Sequence, residues 1–169
     1  MDFTIRTVQP SDNLELAKVI RSCFHDFNAP TKGTVYEDPT TDDLFSLFET
    51  ENSILFVAES KGKVLGCCGL YPTSGLKKNT VELVKFYLTK EFRNYGIGKK
   101  LFETCLSEAK KLGFDSVYIE SLPEFSAAVK LYTSYEFHHL DQPMGNSGHT
   151  GCNIWMLKDL KTDLFISPI

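Results

Sequence analysis

The most informative segment of the chain runs from Glu82 to Lys100 and reads ELVKFYLTKEFRNYGIGKK. Its first part predicts a strand, and its last part predicts the start of an amphipathic helix. Gly96 and Gly98 lie at the junction, where backbone N–H groups without side-chain cover can bind an anion, helped by the helix dipole. Lys99 adds positive charge directly after the glycines. The segment therefore predicts a phosphate-binding loop.

Two common phosphate-binding motifs do not fit this segment. A Walker A loop has Gly, four residues and then Gly-Lys-Ser/Thr, but Arg93 takes the place of the first glycine and Lys100 that of the Ser or Thr. A dinucleotide-binding fingerprint has a third glycine three residues after the second, where this chain has Leu101. The pattern that remains is Arg93-x-x-Gly96-x-Gly98, placed between a strand and a long helix.

The composition indicates one globular domain with an ordinary core. The chain has 169 residues, of which 42% are hydrophobic and 24% charged, and a globule of this size buries roughly 70% of its unfolded surface. The formal net charge of −4 argues against nucleic acid as a partner, because nucleic-acid-binding domains usually have a basic surplus. We therefore expect a single domain over residues 1–169 with no nucleic-acid partner.

The cysteines and the N-terminus indicate a reducing, cytoplasmic location. The cysteines are odd in number, Cys67 and Cys68 are adjacent, and the spacing predicts no disulfide framework. The N-terminus lacks a basic segment followed by an apolar run, so no signal peptide is predicted. The longest apolar run, residues 64–71, is too short to span a bilayer, so no membrane partner is expected.

Hydrophobic periodicity and turn residues predict the element order β-α-α-β-β-β-α-β-α-β-β. Strands are predicted over residues 3–8, 54–59, 64–71, 80–89, 116–121, 137–140 and 153–157. Helices are predicted over residues 13–27, 42–48, 96–112 and 123–135. The third helix is predicted to end at Gly113 and to bury Ile97, Leu101, Cys105, Leu106, Ala109 and Leu112. A hairpin turn is predicted at residues 60–63.

Two segments resemble the GNAT acyltransferase superfamily. The pattern Arg93-x-x-Gly96-x-Gly98 resembles the acetyl-coenzyme A loop of that family, and Leu131-Tyr132-x-x-x-x-Phe137 resembles its Leu-Tyr-x-x-x-Gly-Phe signature. The mixed α/β element order matches the GNAT fold from end to end. The resemblance therefore implies an α/β fold with a mixed, mostly antiparallel central sheet and flanking helices. Two positions depart from the family pattern. Glu136 stands where the family has glycine, and Phe125 stands where it frequently has Asn.

The resemblance also implies binding of acetyl-coenzyme A, with coenzyme A as the product. Phe86, Tyr87 and Leu88 would pair with the pantetheine arm through backbone groups, and the Phe86 N–H would donate to the thioester oxygen. The loop and helix start would hold the pyrophosphate. That part of the predicted site comprises Arg93, Asn94, Tyr95, Gly96, Ile97, Gly98, Lys99 and Lys100.

Glu82 is the predicted general base. An amine nucleophile arrives mostly as ammonium, and a carboxylate beside the cleft can take its proton before it attacks a thioester. Glu82 precedes Arg93 by eleven residues, the offset of the catalytic glutamate in histone-type members of the family. Its apolar neighbours, Val81 and Leu83, predict partial desolvation and a pKa above the usual value of about 4.3. Glu120 on the next strand is the second candidate, and an ion-paired or solvent-facing Glu82 is the structural alternative.

Tyr132 is the predicted general acid that protonates the leaving thiolate, because the pKa of a phenol is close to that of a thiol. Packing on the core is its structural alternative. His149 and Cys152 form a His-x-x-Cys pair, with His138 and His139 nearby, but without a second Cys pair at ligand spacing no metal site is predicted. Cys152 is not predicted to act as a nucleophile, since direct transfer needs no covalent intermediate.

These features predict transfer of an acetyl group from acetyl-coenzyme A to a primary amine of a small molecule or peptide. The alternative is a catalytically silent acyl-coenzyme A-binding module that keeps the glycines without a working base and acid. The acceptor pocket is expected to be formed by residues 27–39, 72–79 and 141–151. No motif in these segments identifies the acceptor. The prediction is compatible with a homodimer.

Overall fold

The computed structural model describes residues 2–161. Its strands are β1 (Thr4–Thr7), β2 (Ile54–Ser60), β3 (Lys63–Tyr71), β4 (Thr80–Leu88), β5 (Ser116–Ser121), β6 (His138–His139) and β7 (Ile154–Asp159). Its α-helices are α1 (Asn13–Asp26), α2 (Leu44–Leu47), α3 (Ile97–Lys111) and α4 (Ser126–Ser134). Short 3-10 turns lead into α1, α2, α4 and the glycine loop. The predicted element order is confirmed.

The strands within this range form one sheet in the order β1-β2-β3-β4-β5-β7-β6. Neighbouring strands are antiparallel except for β4 and β5, which run parallel. The predicted mixed, mostly antiparallel sheet is therefore confirmed. The two-residue hairpin between β2 and β3 is also as predicted, since Lys61 and Gly62 both adopt the positive φ of a type I′ turn.

Two apolar layers cover the faces of the sheet. One layer contains α1 and α2, packed on β2 and β3, and the other contains α3 and α4, packed on β3, β4 and β5. The adjacent Cys67 and Cys68 point to opposite layers, as alternation along a strand requires. Both are free thiols buried as small apolar side chains.

Helix α3 supplies much of the second layer. Its buried residues are Ile97, Leu101, Phe102, Cys105, Leu106 and Ala109, and burying a large apolar side chain stabilises the fold by about 1.5–3 kcal/mol. Gly113 ends the helix with a φ of 82°, as predicted. Leu112 does not belong to the buried face, contrary to prediction, because the helix ends before it and 43% of the residue is exposed.

Strand β4 separates from β5 halfway along its length. The two strands pair only at Thr80–Ser116, Val81–Val117 and Glu82–Tyr118. On its other side, the register with β3 shifts between the pairs Cys67–Tyr87 and Gly69–Val84, which leaves one extra residue in β4. Lys85 occupies that bulge with a φ of 54°. A bulge bends its strand, and the bend coincides with the cleft that opens beyond Glu82.

The helix exit at Glu136 shows how the chain accommodates the missing family glycine. Glu136 adopts a φ of 65° and its N–H donates to Thr133 O over 3.0 Å. The Phe137 N–H then donates to Tyr132 O over 3.1 Å, which closes the end of α4. The chain therefore leaves α4 in the left-handed conformation that glycine adopts most readily.

None of the described helices combines the length and the apolar character needed to cross a membrane.

Candidate active site

A groove of about 530 Å³ lies between the end of β4, the start of α3 and α4. Most of the predicted coenzyme-binding residues line it. These are Phe86, Tyr87, Leu88, Arg93, Asn94, Gly96, Gly98 and Lys99. The structure does not bring the remaining predicted residues to its wall, since Tyr95 and Lys100 are exposed outside it and Ile97 is buried in the core beneath it.

The glycine loop presents free backbone amides to this groove. Gly96 is the N-cap of α3, with a φ of 79° and no side-chain capping bond. The first helical bond runs from Lys100 N–H to Gly96 O over 3.0 Å, so the N–H groups of Ile97, Gly98 and Lys99 have no helical acceptor. A Cβ at Gly96 would meet no atom within 4 Å. An anion therefore has both the donors and the space that it needs.

Arg93 lies in the wall of the groove, and its guanidinium is held there by neighbouring residues. Its Nη2 donates to Asp26 Oδ2 over 2.7 Å, and its Nε donates to Leu88 O over 3.0 Å. The guanidinium also lies over the Phe27 ring, 4.6 Å from its centroid. These contacts tie the end of α1 to the end of β4. Lys99 is the more exposed cation beside the free amides.

Glu82 lies where β4 and β5 part, and only 3% of the residue is exposed. Its Oε2 accepts a hydrogen bond from Thr73 Oγ1. Burial raises the pKa of Glu82 to about 7, the Thr73 hydrogen bond and Lys85 oppose the rise, and the negative charge of Glu120 adds to it. Near neutral pH a large fraction of this carboxyl is ionised and able to accept a proton.

Glu120 shares an inner cavity of about 70 Å³ with Glu82, but both of its oxygens are already engaged. Its Oε1 accepts from the Tyr118 hydroxyl over 2.9 Å, and its Oε2 accepts from Ser147 Oγ over 2.7 Å. Within residues 2–161, no donor lies in hydrogen-bonding range of Glu82 Oε1. Of the two candidate bases, Glu82 is the one with an uncommitted oxygen.

Tyr132 lines the same inner cavity from α4 and is 4% exposed. Its ring packs on Phe102 and Phe86, at centroid distances of 5.6 and 6.2 Å. No group of the described chain lies in hydrogen-bonding range of its hydroxyl. Burial raises the pKa of Tyr132, so the phenol keeps its proton at neutral pH. The residue packs on the core and also presents an uncommitted O–H donor.

A pocket of about 370 Å³, lined largely by residues with polar side chains, lies beyond Glu82. It is lined by Asp38, Thr40, Leu47, Tyr71, Pro72, Thr73, Ser74, Glu82, Val84, Lys85, Asn146, Ser147 and His149. We call it the outer pocket. About half of its residues come from the three loops that the sequence predicts around the acceptor, and β4 supplies Glu82, Val84 and Lys85. Glu82 and Lys85 line both the outer pocket and the inner cavity, so they connect the two.

The last of these loops holds the other two together. The Gly151 N–H donates to Gly33 O, and the Asn146 N–H donates to Ser74 O, both over 2.8 Å. His149 Nε2–H adds a third contact, to Asp38 Oδ2 over 3.0 Å. The walls of the outer pocket are therefore mutually braced.

Cys152 and the histidines do not form a reactive or metal-binding cluster in the described chain. Burial, together with the charges of Glu120 and Glu82, raises the pKa of Cys152 to about 12. The residue is then a neutral thiol, which is a poor nucleophile. No group of three or more His, Cys, Asp or Glu side chains over residues 2–161 is arranged to hold a metal ion.

Several residues of the site cannot be identified from the sequence alone. Thr73, Ser147 and Asp38 come from loops whose mutual contacts form only in the folded chain. Lys85 lies within the quoted segment, yet the direction of its side chain depends on a bulge. The alternation of apolar and polar residues along a strand does not predict that bulge.

Phe125 replaces the polar residue frequent in the family, and its ring packs against Phe24, Phe27 and Tyr87 over the groove.

Comparison with known sequences points to one family. Residues 20–137 match the profile of the Acetyltransferase (GNAT) family. The chain is also 31% identical over 157 residues to the uncharacterized N-acetyltransferase YjgM of Escherichia coli, and the match covers 92% of this chain and 94% of that protein.

Solved structures share the fold. A GNAT-family acetyltransferase of Staphylococcus aureus superposes with a TM-score of 0.82 at 22% identity, over 94% of this chain and 99% of that one. A phosphinothricin acetyltransferase of Sinorhizobium meliloti, solved in complex with acetyl-coenzyme A, superposes with a TM-score of 0.74 at 18% identity. That match covers 100% of this chain and 94% of the other.

Proposed function

The chain belongs to the GNAT acetyltransferase family, and on this premise we propose that it transfers an acetyl group from acetyl-coenzyme A to a primary amine of a small molecule or peptide. The observation that carries the proposal is the position of Glu82. This buried carboxyl, with one uncommitted oxygen, lies between a groove with free helix amides and the outer pocket.

The groove suits the coenzyme in charge and in shape. The free amides of Ile97, Gly98 and Lys99 would hold the pyrophosphate at the positive end of α3. The separated half of β4, from Lys85 to Leu88, offers its backbone to an extended pantetheine arm. When bound, acetyl-coenzyme A supplies the acetyl thioester, and its transfer forms an amide C–N bond, breaks the C–S bond and releases the thiol.

Glu82 would take the proton that the incoming ammonium must lose. A carboxyl with a pKa of about 7 is well matched to that task, since general bases work best with a pKa close to the operating pH. Thr73 holds one oxygen of the carboxyl and leaves the other for the amine or for an intervening water. Glu120 would add negative charge that attracts the ammonium.

Tyr132 would donate its proton to the departing thiolate. Its hydroxyl is uncommitted and its pKa is raised by burial, so the proton is present at neutral pH. Phe86 lines both the groove and the inner cavity. Its backbone N–H is the proposed donor to the thioester oxygen as negative charge develops there.

A coupled assay tests the proposal directly. Thiol release from acetyl-coenzyme A, followed with Ellman's reagent against a panel of primary amines, should exceed hydrolysis in the absence of amine. Mass spectrometry of the products should show addition of one acetyl group to the amine. Calorimetric binding of coenzyme A without turnover of any amine would instead favour a silent acyl-coenzyme A-binding module.

A further inference from the structure

Lys85 is a buried cation placed in the wall between the two cavities. Its side chain is 4% exposed, and it lines both the inner cavity and the outer pocket. Burying an ammonium group costs several kcal/mol unless its donors are satisfied. The bulge, with its φ of 54°, sends the lysine to the same cavities as Glu82, although a regular strand would turn residues three apart to opposite faces.

The ammonium of Lys85 is not satisfied by the described part of the protein. Asp38 Oδ2 is its ion-pair partner, but it lies 3.8 Å from Nζ, which is beyond hydrogen-bonding distance. No closer acceptor for this ammonium lies within residues 2–161. An ammonium group carries three donors. Burial lowers the pKa of Lys85, and the charges of Asp38 and Glu82 oppose that change. Lys85 therefore brings spare donors to the edge of the outer pocket, and an anionic ligand there would stabilise its charged form.

Asp38 is held away from Lys85 by its other partners. Its Oδ1 accepts from Thr40 N–H and Thr40 Oγ1 over 2.9 and 2.7 Å, and its Oδ2 accepts from His149 over 3.0 Å. Burial opposes ionisation of Asp38, but these hydrogen bonds and the charge of Lys85 lower its pKa to about 2. Asp38 keeps Lys85 in place without using up its donors.

The outer pocket therefore offers two opposite charges to one small ligand. Glu82 is suited to the amine, and Lys85, three residues along the same strand, is suited to an anion. The hydroxyls of Thr73 and Ser147 line the wall near them. A cavity of about 370 Å³ fits a small polar molecule. A single buried ammonium matches a carboxylate in charge, whereas a phosphate ester carries a charge of about −1.5 to −2 at pH 7.

We propose that Lys85 binds a carboxylate of the acceptor, so that the acceptor is an amino acid or another small amine whose carboxylate lies a few bonds from the reacting nitrogen. The inference rests on the proposed acetyl transfer and names its substrate class. A bound carboxylate completes the hydrogen bonds of Lys85 and removes the cost of leaving its ammonium unpaired. Amines that lack the carboxylate leave this cost in place.

Matched acceptors test the proposal. The standard amino acids and short ω-amino acids are compared with their carboxamides and with the corresponding decarboxylated amines, by kcat/KM at saturating acetyl-coenzyme A. The wild type should prefer the best carboxylated acceptor at least 10²-fold over its two relatives that lack the carboxylate. Lys85→Met should abolish that preference by raising KM for the carboxylated amine. Lys85→Arg should retain part of the preference, because it keeps the charge.

Two controls separate binding of the acceptor from general damage. Lys130→Met removes an exposed lysine of α4 and should keep the preference intact. The KM of Lys85→Met for acetyl-coenzyme A should stay close to wild type, and its thermal midpoint should not fall, because the substitution removes a buried charge. An equal loss by Lys85→Met for amines with and without a carboxylate would overturn the inference, because it would mean that Lys85 only positions Glu82 or Asp38.

A binding measurement keeps the inference independent of turnover. Protein saturated with coenzyme A is titrated calorimetrically with the same amines. Carboxylate-dependent binding by the wild type, lost in Lys85→Met, would support the role of Lys85 even if no acetylation were seen, and the proposed function alone would then fail. Acetylation of amines without any preference for a carboxylate would leave the function standing and refute this substrate class.

Discussion

The position of the Glu82 carboxyl is energetically unfavourable. It is nearly fully buried, it has one hydrogen-bond donor, and its nearest charged neighbours include another carboxylate, Glu120. Such an arrangement costs folding free energy, because burial disfavours the charged form. A side chain selected only for stability would be neutral here. The cost is consistent with a base whose pKa must lie near the working pH.

The pH dependence of activity tests whether Glu82 acts as the base. With the pKa of Glu82 near 7, kcat/KM of the wild type should fall as the pH drops below about 7, because the base becomes protonated. Glu82→Gln should lower kcat/KM for the amine roughly 10²-fold near neutral pH. The loss should shrink at higher pH, where more amine arrives already neutral. A loss of the same size at every pH would show that Glu82 is structural.

Glu82→Gln lowers activity, but it should increase stability relative to wild type as the pH rises. The pKa of Glu82 is higher in the folded chain, about 7, than the ordinary value of 4.5. Raising the pH from 4.5 to 7 therefore removes a proton that the folded state holds more tightly, and the wild type loses stability. Glu82→Gln has no such proton. Its free energy of unfolding relative to wild type should rise by about 3 kcal/mol between pH 4.5 and pH 8. Urea unfolding at both pH values measures this, and a pH-independent difference would contradict it.

Replacing Tyr132 by Phe separates the role of the hydroxyl in catalysis from the role of the ring in packing. Its hydroxyl has no partner among residues 2–161, so Tyr132→Phe keeps the ring contacts and leaves no other polar group unpaired. The free energy of unfolding should change by less than about 0.5 kcal/mol. If the hydroxyl protonates the thiolate, kcat should fall about 10-fold or more, with little change in either KM. An unchanged kcat would leave Tyr132 with its packing role alone.

Substitutions at the two glycines of the loop before α3 should distinguish an effect on coenzyme binding from an effect on folding stability. Gly96 needs its glycine for a φ of 79°, whereas a Cβ at Gly98 would make an ordinary contact with Phe86 at 3.5 Å. Gly98→Val should therefore raise the KM for acetyl-coenzyme A at least 10-fold with little loss of stability. Gly96→Val should combine that increase with about 1 kcal/mol of backbone strain. Steady-state kinetics and thermal unfolding of both variants test this, and unchanged coenzyme affinity would refute the pyrophosphate assignment.

Some of these elements can be predicted from the sequence and others cannot, for physical reasons. The strand, loop and helix around Gly96 follow from local periodicity and turn residues, which need no distant partner. The separation of β4 from β5 and the bulge at Lys85 depend on the register with β3 and β5, and single-strand patterns do not contain that register. The sequence therefore identifies Glu82 and the glycines, but it does not identify Thr73, Asp38 or the direction of Lys85.

At the scale of the whole molecule, the cleft divides the sheet into two parts. Strands β1 to β4 carry the glycine loop and the base, and β5, β7 and β6 lie on the other side, joined to β4 by only three residue pairs. Helix α4, with Tyr132, follows β5 across the cleft. A coenzyme in the groove would contact both sides, through Phe86 and Gly98 on one and Phe125 and Leu131 on the other. Bound coenzyme should therefore strengthen the short junction between β4 and β5.

Because a bound coenzyme would contact both sides of the cleft, it should raise the thermal stability of the protein. A ligand that binds only the folded state at 100 times its Kd stabilises it by about 2.7 kcal/mol, which corresponds to roughly 5–10 °C in Tm for a domain of this size. Coenzyme A and acetyl-coenzyme A should both produce the shift, and Gly98→Val should lose most of it at the same concentration. Hydrogen exchange should slow at the β4–β5 junction near Glu82 as well as in the glycine loop, because the ligand holds the two sides together. Protection confined to the loop would show that the coenzyme binds one side only and does not stabilise the cleft.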